Sequence, residues 1–400
     1  MKAPFIKALP ILKKIEDAGY EAYFVGGSVR DHLLDRQIDD VDIATSATPE
    51  EIQAIFPKTI DVGIAHGTVV VLYEGDTYEV TTFRSESDYD DFRRPNEVTF
   101  IRSLEEDLQR RDFTMNAIAM DKEGKIIDPF NGQIAIQAKL IQTVGNAGER
   151  FHEDALRMMR AIRFVSQLSF SLELETYQAL SEHKQWLERI AVERKTTEFE
   201  KLLRGENNQQ ALKILIDTGI YQYLPGFDGK EKELMKYSMF NLSSHFTISE
   251  RWVFLLFHLK LVPSEVEVFL RCWKLPVKQI RRVKTGLSWL YRRLEHGWER
   301  EDLYRAGEEL VISTEQLFNV LKTKVIEENI EMLKAMLEQL PIRERAELVV
   351  TGQDLLQWYQ IKGGPWIEEK LLAIEKAVVK REIANDMESI KEWLFRCSQP

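Results

Sequence analysis

Near residue 145 the chain changes texture, and that change limits the fold class more than any single motif does. Before it, runs of β-branched and aromatic residues over 21–25, through Asp42, from Gly63 to Tyr73 and from Thr77 to Phe83 alternate with glycine turns. That pattern predicts a mixed sheet with few helices. An amphipathic helix carrying Phe5, Leu9, Leu12 and Ile15 precedes it and ends at Gly19. Beyond residue 145 glycines thin out and helical periodicity runs nearly to the end, without the fixed period of a solenoid. The expected fold is α+β, a head with a mixed sheet followed by an all-helical remainder.

Four hundred residues with 44% apolar content are too many for one core, so two to four domains are expected. Cys272 and Cys397 lie far apart and form no Cys-x-x-Cys, which indicates neither a disulfide framework nor a zinc site and suits a reducing, cytoplasmic setting. Pro4 and Pro10 break any signal-peptide core, and no apolar run approaches the roughly eighteen residues that span a bilayer. Neither a secreted nor a membrane protein is expected. A net charge of −11 argues against a uniformly basic coat for nucleic acid and leaves room for a local basic stripe.

The first chemistry lies between residues 24 and 42. Val25 closes an apolar run, Gly26-Gly27 turns the backbone so that N–H groups can approach an anion, and Val29 to Leu34 reads as a helix opening. Asp40 and Asp42 flank Val41, so on a strand both carboxylates leave one face, which grips divalent cations through oxygen. In Thr77 to Phe83, alternation puts Thr77, Glu79, Thr81 and Phe83 on one face. If that strand neighbours the Asp40 strand, Glu79 completes a three-carboxylate cluster for Mg²⁺; an ordinary exposed glutamate is the alternative. Residues 84–98 mix Arg, Glu, Asp and Pro and read as a mobile loop. In Asp107 to Ala117, Arg111 can reach a phosphate, Arg110 caps or shields the turn, and Asp112 and Asn116 are placed as structural hydrogen-bonders.

Gly26-Gly27-Ser28-Val29-Arg30-Asp31, Asp40-Val41-Asp42 and Arg110-Arg111-Asp112-Phe113-Thr114-Met115-Asn116-Ala117 resemble motifs of the polymerase-beta-like nucleotidyltransferases. Across essentially the whole chain the resemblance is to the class II tRNA nucleotidyltransferases, the bacterial CCA-adding enzymes and their poly(A) polymerase relatives. It implies a catalytic head (1–147), a helical neck that selects nucleotides (148–208), and a helical body (209–295) and tail (296–400) that bind tRNA. It further implies Mg²⁺ held by Asp40 and Asp42 with Glu79 assisting, and Gly27, Arg30 and Arg111 on the nucleotide's phosphates or sugar. The implied activity is sequential addition of C, C and A to tRNA 3′ ends from CTP and ATP, without a nucleic acid template and with release of pyrophosphate.

In Arg150 to Gln167, Phe151, Ala155, Met158, Ile162 and Val165 form one apolar stripe on a helix, with Asp154, Arg157, Arg160 and Arg163 off it, drifting by about 60° per step. A charged face turned to water, with Asp154 and Arg157 paired, would give that pattern. Hydrogen-bond polarity offers another reading. Cytosine and adenine present an amino donor beside a ring-nitrogen acceptor, whereas uracil and guanine present the reverse, so a carboxylate beside a guanidinium matches C and A alone. By the resemblance, Asp154 and Arg157 read the incoming base and Arg160 and Arg163 also contact nucleotide; ideal helix geometry brings Arg160 near Arg157 and sends Arg163 far round. Glu193-Arg194 and Glu198 to Leu203 resemble a structural buttress, and an ion-paired helix surface would look the same.

From Trp273 to Leu294 no acidic residue occurs, while Lys278, Arg281, Arg282, Lys284, Arg292 and Arg293 are interleaved with Trp289 and Tyr291. This suits phosphate contacts along an RNA stem, and a helix with a basic outer face would look alike. Near the end, Gly363-Gly364 makes a turn between helices, and Glu368 stands where relatives commonly have a glycine, which weakens close approach of RNA there. The rival activities are poly(A) synthesis, addition of CC alone or of A alone, and a non-catalytic RNA-binding scaffold. By the resemblance, retention of the loop 84–98 favours A addition after CC, because relatives that add CC alone tend to lack an intact version; the residues do not specify a monomer or a homodimer.

Overall fold

The computed structural model describes residues 1–63, 67–89, 95–322 and 327–396. It divides into two units, residues 1–244 with 272–275, and residues 245–271 with 276–400.

In the first unit, α1 (Ala3–Asp17) leads into β1 (Ala22–Val25), α2 (Gly27–Leu33), β2 (Asp42–Thr45), α3 (Pro49–Ile55), β3 (Thr59–Gly63), β4 (Thr68–Tyr73) and β5 (Asp76–Thr82). A ribbon follows, β6 (Arg84–Tyr89) and β7 (Pro95–Phe100), then α4 (Leu104–Gln109), β8 (Ala119–Met120), β9 (Ile126–Ile127) and α5 (Gly132–Gln137). Helices take over with α6 (Ala147–Glu153), α7 (Leu156–Leu168), α8 (Leu174–His183), α9 (Val192–Arg204), α10 (Asn208–Asp217) and α11 (Glu231–Tyr237). The seven-stranded sheet has the order β3-β4-β5-β2-β1-β8-β9. Only β2 and β5 run parallel, so the sheet is mixed, as its alternating pattern predicts.

One row of cross-strand neighbours matters below: Asp42 faces Glu79, Glu79 faces Val70, and Val70 faces Ile60. These side chains share one face of the sheet, because directly opposed residues project together. The other face carries buried Val69, Val71, Tyr78 and Val80.

Three expectations need correction. Residues 84–98 are not an irregular loop: β6 and β7 pair antiparallel, Arg84 opposite Phe100 and Glu86 opposite Val98, since Ser, Tyr, Val and Thr recur often enough to sustain a ladder despite the charge. Residues 90–94 of that segment lie outside the described residues. Asp40 does not share a strand with Asp42: β2 begins at Asp42, and Asp40 stands in the irregular approach to it, with Val41 buried between them. The segment 150–167 is not one helix. Asp154 is extended at φ −142° and ψ 101°, and its Oδ1 accepts the backbone N–H of Leu156 at 3.1 Å, so the carboxylate competes for a helical donor and starts α7 afresh.

In the second unit, α12 (Ile248–His258) opens on a reciprocal capping box between Thr247 and Glu250. α13 (Val266–Cys272), α14 (Val277–Glu295), α15 (Arg300–Lys322), α16 (Glu327–Glu338), α17 (Gly352–Tyr359), α18 (Trp366–Val379) and α19 (Met387–Arg396) follow. Gly286 lets α14 approach α12 closely, since a Cβ there would lie 2.8 Å from Val253 Cγ2. α15 is kinked at Gly307, where φ is 73°. The last three helices close around Leu355, Ile374, Val378, Ile390 and Leu394. Among the described residues, no helix is long and apolar enough to cross a membrane.

The stripe Phe151, Ala155, Met158, Ile162 and Val165 is fully buried, but α7 shows no charged face to water: Arg157 and Arg163 are buried as well. α7 packs on α9, and the turn after α9 presses on its last turn. Asn207 N–H donates to Ser166 O at 2.9 Å, and a Cβ at Gly205 would stand 2.1 Å from Ser166 Oγ and 2.6 Å from its carbonyl. Gly205 has an ordinary φ of −69°, so its requirement is purely steric. Gly205→Ala is expected to cost about 1–3 kcal/mol, read as a lower midpoint in urea unfolding; an unchanged midpoint would show that the turn gives way freely.

Candidate active site

β5 lies directly beside β2 with Glu79 opposite Asp42, on the open face of the sheet. Burial of its surroundings pushes the Asp42 carboxyl above the usual carboxylate range, and the negative charges of Glu79 and Asp40 push it further, with Arg111 opposing. Asp42 nevertheless keeps access to solvent. Among the described residues, no group of three Asp, Glu, His or Cys side chains is placed to hold a metal ion, so the expected three-carboxylate cluster is not assembled: strand pairing brings Asp42 and Glu79 together, and Asp40, off the strand, does not complete it. The donor set instead fits an open site for a hard divalent cation: carboxylate oxygens whose mutual repulsion a cation would relieve, with room for water and phosphate ligands.

The glycine turn sits against this pair. Gly26 has φ 69° and ψ −132°, a conformation that L side chains avoid. A Cβ there would stand 3.0 Å from Arg111 Nη1 and 4.0 Å from Asp42 Oδ2. The turn, Arg111 and Asp42 therefore meet at one point. Gly27 starts α2, and its own Cβ position is 3.6 Å from Arg30 Nη2. Arg111 Nη2 donates to Asp107 at 3.1 Å, while its Nε is buried with no hydrogen-bond partner. Arg110 donates to the same carboxylate at 2.9 and 2.7 Å. Burial works to raise the Asp107 carboxyl, but Arg111 and Arg110 outweigh it and hold it below the usual range.

Arg30 is buried and its guanidinium is engaged on all sides. It donates to Asp31 at 3.0 and 2.9 Å and to Asn116 Oδ1 at 2.7 Å. Asn116 Nδ2 in turn donates to Asp112 at 3.0 Å, Phe113 N–H donates to the same oxygen at 2.8 Å, and Arg160 Nε donates to the other at 2.7 Å. Burial would raise the Asp112 carboxyl, but Arg160 and the Asn116 amide hold it down at about 2. Asp112 and Asn116 are structural hydrogen-bonders, as their positions predict. Around the Phe164 ring stand the guanidiniums of Arg30, Arg160 and Arg163, at 5.2, 5.7 and 4.0 Å. Arg163 pairs with Glu198 of α9 and donates to Gln167 at 2.6 Å. Burial pulls its pKa down.

Asp154 and Arg157 are neighbours but do not pair with each other. Arg194 of α9 grips Asp154 with both Nη groups, at 3.2 and 2.7 Å. Arg157 pairs with Glu153 and donates to Arg150 O at 3.1 Å and Arg110 O at 3.0 Å. The last bond ties the start of α7 to the paired-arginine motif 47 positions earlier.

Sequence reasoning reads Gly26-Gly27 as the turn but assigns the nucleotide contact to Gly27 alone; that Gly26 holds the positive φ is printed in no sequence pattern. It also leaves Arg194 as a buttress, although α9 presents it to Asp154 itself. The basic stretch forms α14, where Lys278, Arg281, Arg282 and Lys284 are exposed. Arg282 pairs with Glu309 and Arg292 with Asp302, while Arg293 binds buried Glu315 at 2.6 Å and covers the Phe318 ring at 3.8 Å. Glu368, near the late glycine turn, is paired with Arg345 at 2.6 Å, which offsets its charge.

Comparison with known proteins agrees with this arrangement. The Poly A polymerase head domain matches residues 22–142, the probable RNA and SrmB-binding site of polymerase A matches 169–230, and tRNA nucleotidyltransferase domain 2 matches 244–394. The CCA-adding enzyme of Geobacillus sp. (strain WCH70) is 51% identical over 396 residues, covering 99% of this chain and 98% of that one. Among solved structures, the Bacillus stearothermophilus CCA-adding enzyme in complex with CTP superposes with a TM-score of 0.92 at 48% identity, covering 99% and 98% of the two chains. A tRNA nucleotidyltransferase complexed with a primer tRNA and an incoming ATP analog gives a TM-score of 0.63 at 25% identity, covering 82% and 98%. A carboxylate pair beside a glycine turn stands in a chain half identical to these relatives along its length, and that likeness shows that this chain belongs to the CCA-adding enzymes, a family of tRNA nucleotidyltransferases.

Proposed function

We propose that this chain adds and repairs the 3′-terminal CCA of tRNA, using CTP and ATP without a nucleic acid template. The observation that carries the reading is the meeting of Asp42, Glu79, Gly26 and Arg111 at one point of the sheet, in a chain 51% identical to a CCA-adding enzyme. The relative bound to CTP and the one bound to primer tRNA with an ATP analog support the substrates. We place the reaction in the cytoplasm, with residues 1–147 as catalytic head, 148–208 as nucleotide-selecting neck, and 209–295 and 296–400 as tRNA-binding body and tail.

In this reading the RNA 3′-hydroxyl attacks the α-phosphorus, a new phosphodiester bond forms, the bond to the β-phosphate oxygen breaks, and pyrophosphate leaves with the electron pair. Mg²⁺, held by Asp40 and Asp42 beside Glu79, would neutralise the triphosphate and make the hydroxyl a better nucleophile. The Gly26-Gly27 turn lets the triphosphate approach the backbone, and Arg111, fixed by Asp107, offers its guanidinium to it. Arg30 and Arg160 contribute by holding the Asn116–Asp112 framework that sets the height of this floor, and Arg163 braces the Phe164 ring. Electrostatics and positioning supply most of the acceleration.

For base choice, Asp154 supplies the acceptor and Arg157 the donor that fit C and A. Arg194 positions Asp154, exchanging part of its bidentate grip for the base's amino group. On the second unit, exposed Lys278, Arg281 and Lys284 on α14 meet RNA phosphates, with Arg282 and Arg292 able to exchange carboxylate partners for phosphate. Arg293, locked on Glu315, contributes through the shape of that surface.

The deciding assay incubates tRNA ending at its discriminator base with Mg²⁺ and CTP, ATP, GTP or UTP and reads the 3′ ends. CCA alone is expected; long A tails, or CC without A, would replace the reading with poly(A) synthesis or partial addition, and no addition would leave a scaffold. Asp42→Asn is expected to reduce addition of both C and A by about a thousandfold or more, the equivalent of several kcal/mol of lost transition-state stabilisation. The same variant should melt higher than wild type without metal at pH 7. Because the folded Asp42 carboxyl titrates above its unfolded value, its ionisation opposes folding; that penalty is absent below the unfolded pKa and grows as pH rises through the folded one. A Tm gain that persists at pH 3 would contradict this origin. Arg157→Ala should admit UTP or GTP into the first position at a frequency about tenfold above wild type; unchanged selectivity would remove the template role.

A further inference from the structure

The sheet row that begins at Asp42 and Glu79 does not end there. It continues through Val70 of β4 to Ile60 of β3, and Leu72 of β4 stands on the same face. Ile60 and Leu72 are 47% and 37% exposed. β3 is the edge strand of the sheet, where an exposed apolar row invites unwanted pairing and proteins ordinarily place charge. A contiguous apolar surface joined to a reactive centre marks a binding surface.

Its place identifies the occupant. The glycine turn and Arg111 lie at the β1 side of Asp42, whereas Glu79 and the apolar row lie on its β5 side. In-line displacement puts entering and leaving oxygens on opposite sides of the phosphorus. If the triphosphate lies over Gly26 and Arg111, the attacking 3′-hydroxyl comes from the β5 side, and the nucleotide that bears it rests on β4 and β3. We propose that Ile60, Val70 and Leu72 form the platform on which the 3′-terminal nucleotide of the RNA primer lies. This rests on the nucleotidyltransferase reading above and extends it to residues which that reading leaves unassigned.

The chemistry of the platform suits the reaction. The primer terminus changes during the cycle, from the discriminator base to C and then to C again, so a surface with directional hydrogen bonds would favour one stage. An apolar surface accepts the π-face and ribose of any base alike. Thr77, opposite Leu72, sets one hydroxyl at the margin of the row, while those of Thr68 and Thr81 are 3.1 Å apart and satisfy each other. Exposed Lys58, at the entry to β3, stands where a primer phosphate would gain a counter-charge.

The test is the double variant Ile60→Thr with Leu72→Thr, assayed beside Ile60→Val and wild type. Threonine keeps the strand preference at exposed positions, so folding is expected to be retained. With tRNAs ending at the discriminator, at C and at CC, kcat/KM for tRNA should fall about tenfold for all three, with KM for CTP and ATP unchanged and Ile60→Val near wild type. A primer with 4-thiouridine at its 3′ end should cross-link to the peptide spanning 58–72 in the wild-type enzyme. Wild-type kcat/KM in the double variant, an equal shift in KM for CTP, or cross-links only elsewhere would overturn the platform while leaving CCA addition standing. A wild-type protein that adds no nucleotide would overturn the functional reading and the platform with it.

Discussion

A buried carboxylate that needs charged partners organises the first unit. Asp112 is enclosed, yet it stays ionised down to about pH 2, because Arg160, Asn116 and the Phe113 N–H surround its oxygens. Removing any of these partners would leave a charge stranded in low dielectric, typically a loss of about 3–5 kcal/mol for a broken buried pair. Through Asn116 the same carboxylate fixes Arg30 at the start of α2, and through Arg160 it fixes α7. One side chain thus sets the distance between the glycine turn and the helix that follows Asp154.

The positive charge gathered around this hub is balanced locally. Arg30, Arg160 and Arg163 converge on the face of Phe164, an arrangement that repulsion would forbid were each not matched by its own carboxylate, Asp31, Asp112 and Glu198. The same economy governs Asp154 and Arg157. Each is held by a partner other than its neighbour, Arg194 and Glu153 respectively, so the carboxylate and the guanidinium are oriented without pairing with each other. At Asp42 the balance is left incomplete, with Glu79 and Asp40 near and only Arg111 opposing. That residual negative charge favours a cation, and in the proposed reaction it is the cation that would let a triphosphate approach.

The broad division of the fold was legible because it rests on periodicity. Period-two runs before residue 145 and period-three-to-four runs after it report which side chains must be buried, and Tyr78, Val80 and Thr82 on β5, like the Phe151 to Val165 stripe, are buried as that pattern requires. β3 was not legible, because Ile60 and Val62 alternate with polar residues in the ordinary way but turn their apolar side outward. The β6–β7 ribbon was hidden by charged residues, whose pairing is decided by backbone register rather than burial. The break at Asp154 was hidden as well, since an aspartate within a helical pattern does not announce whether its carboxylate faces solvent or caps the next turn.

The sequence by itself determined the residue types available for chemistry: the Asp40 and Asp42 carboxylates, the glycine pair, Arg111, and the Asp154 and Arg157 acceptor and donor. It also determined the division into a strand-rich part and a helical part, because local spacing carries that much along the chain. Only the tertiary structure decided that Glu79 faces Asp42, that Arg111 meets Gly26, that Arg194 rather than Arg157 grips Asp154, and that the carboxylate row runs on to an exposed apolar edge. Those facts depend on strand order and register and on helix packing between residues tens of positions apart, and no local pattern encodes which of several equally plausible neighbours a side chain will meet.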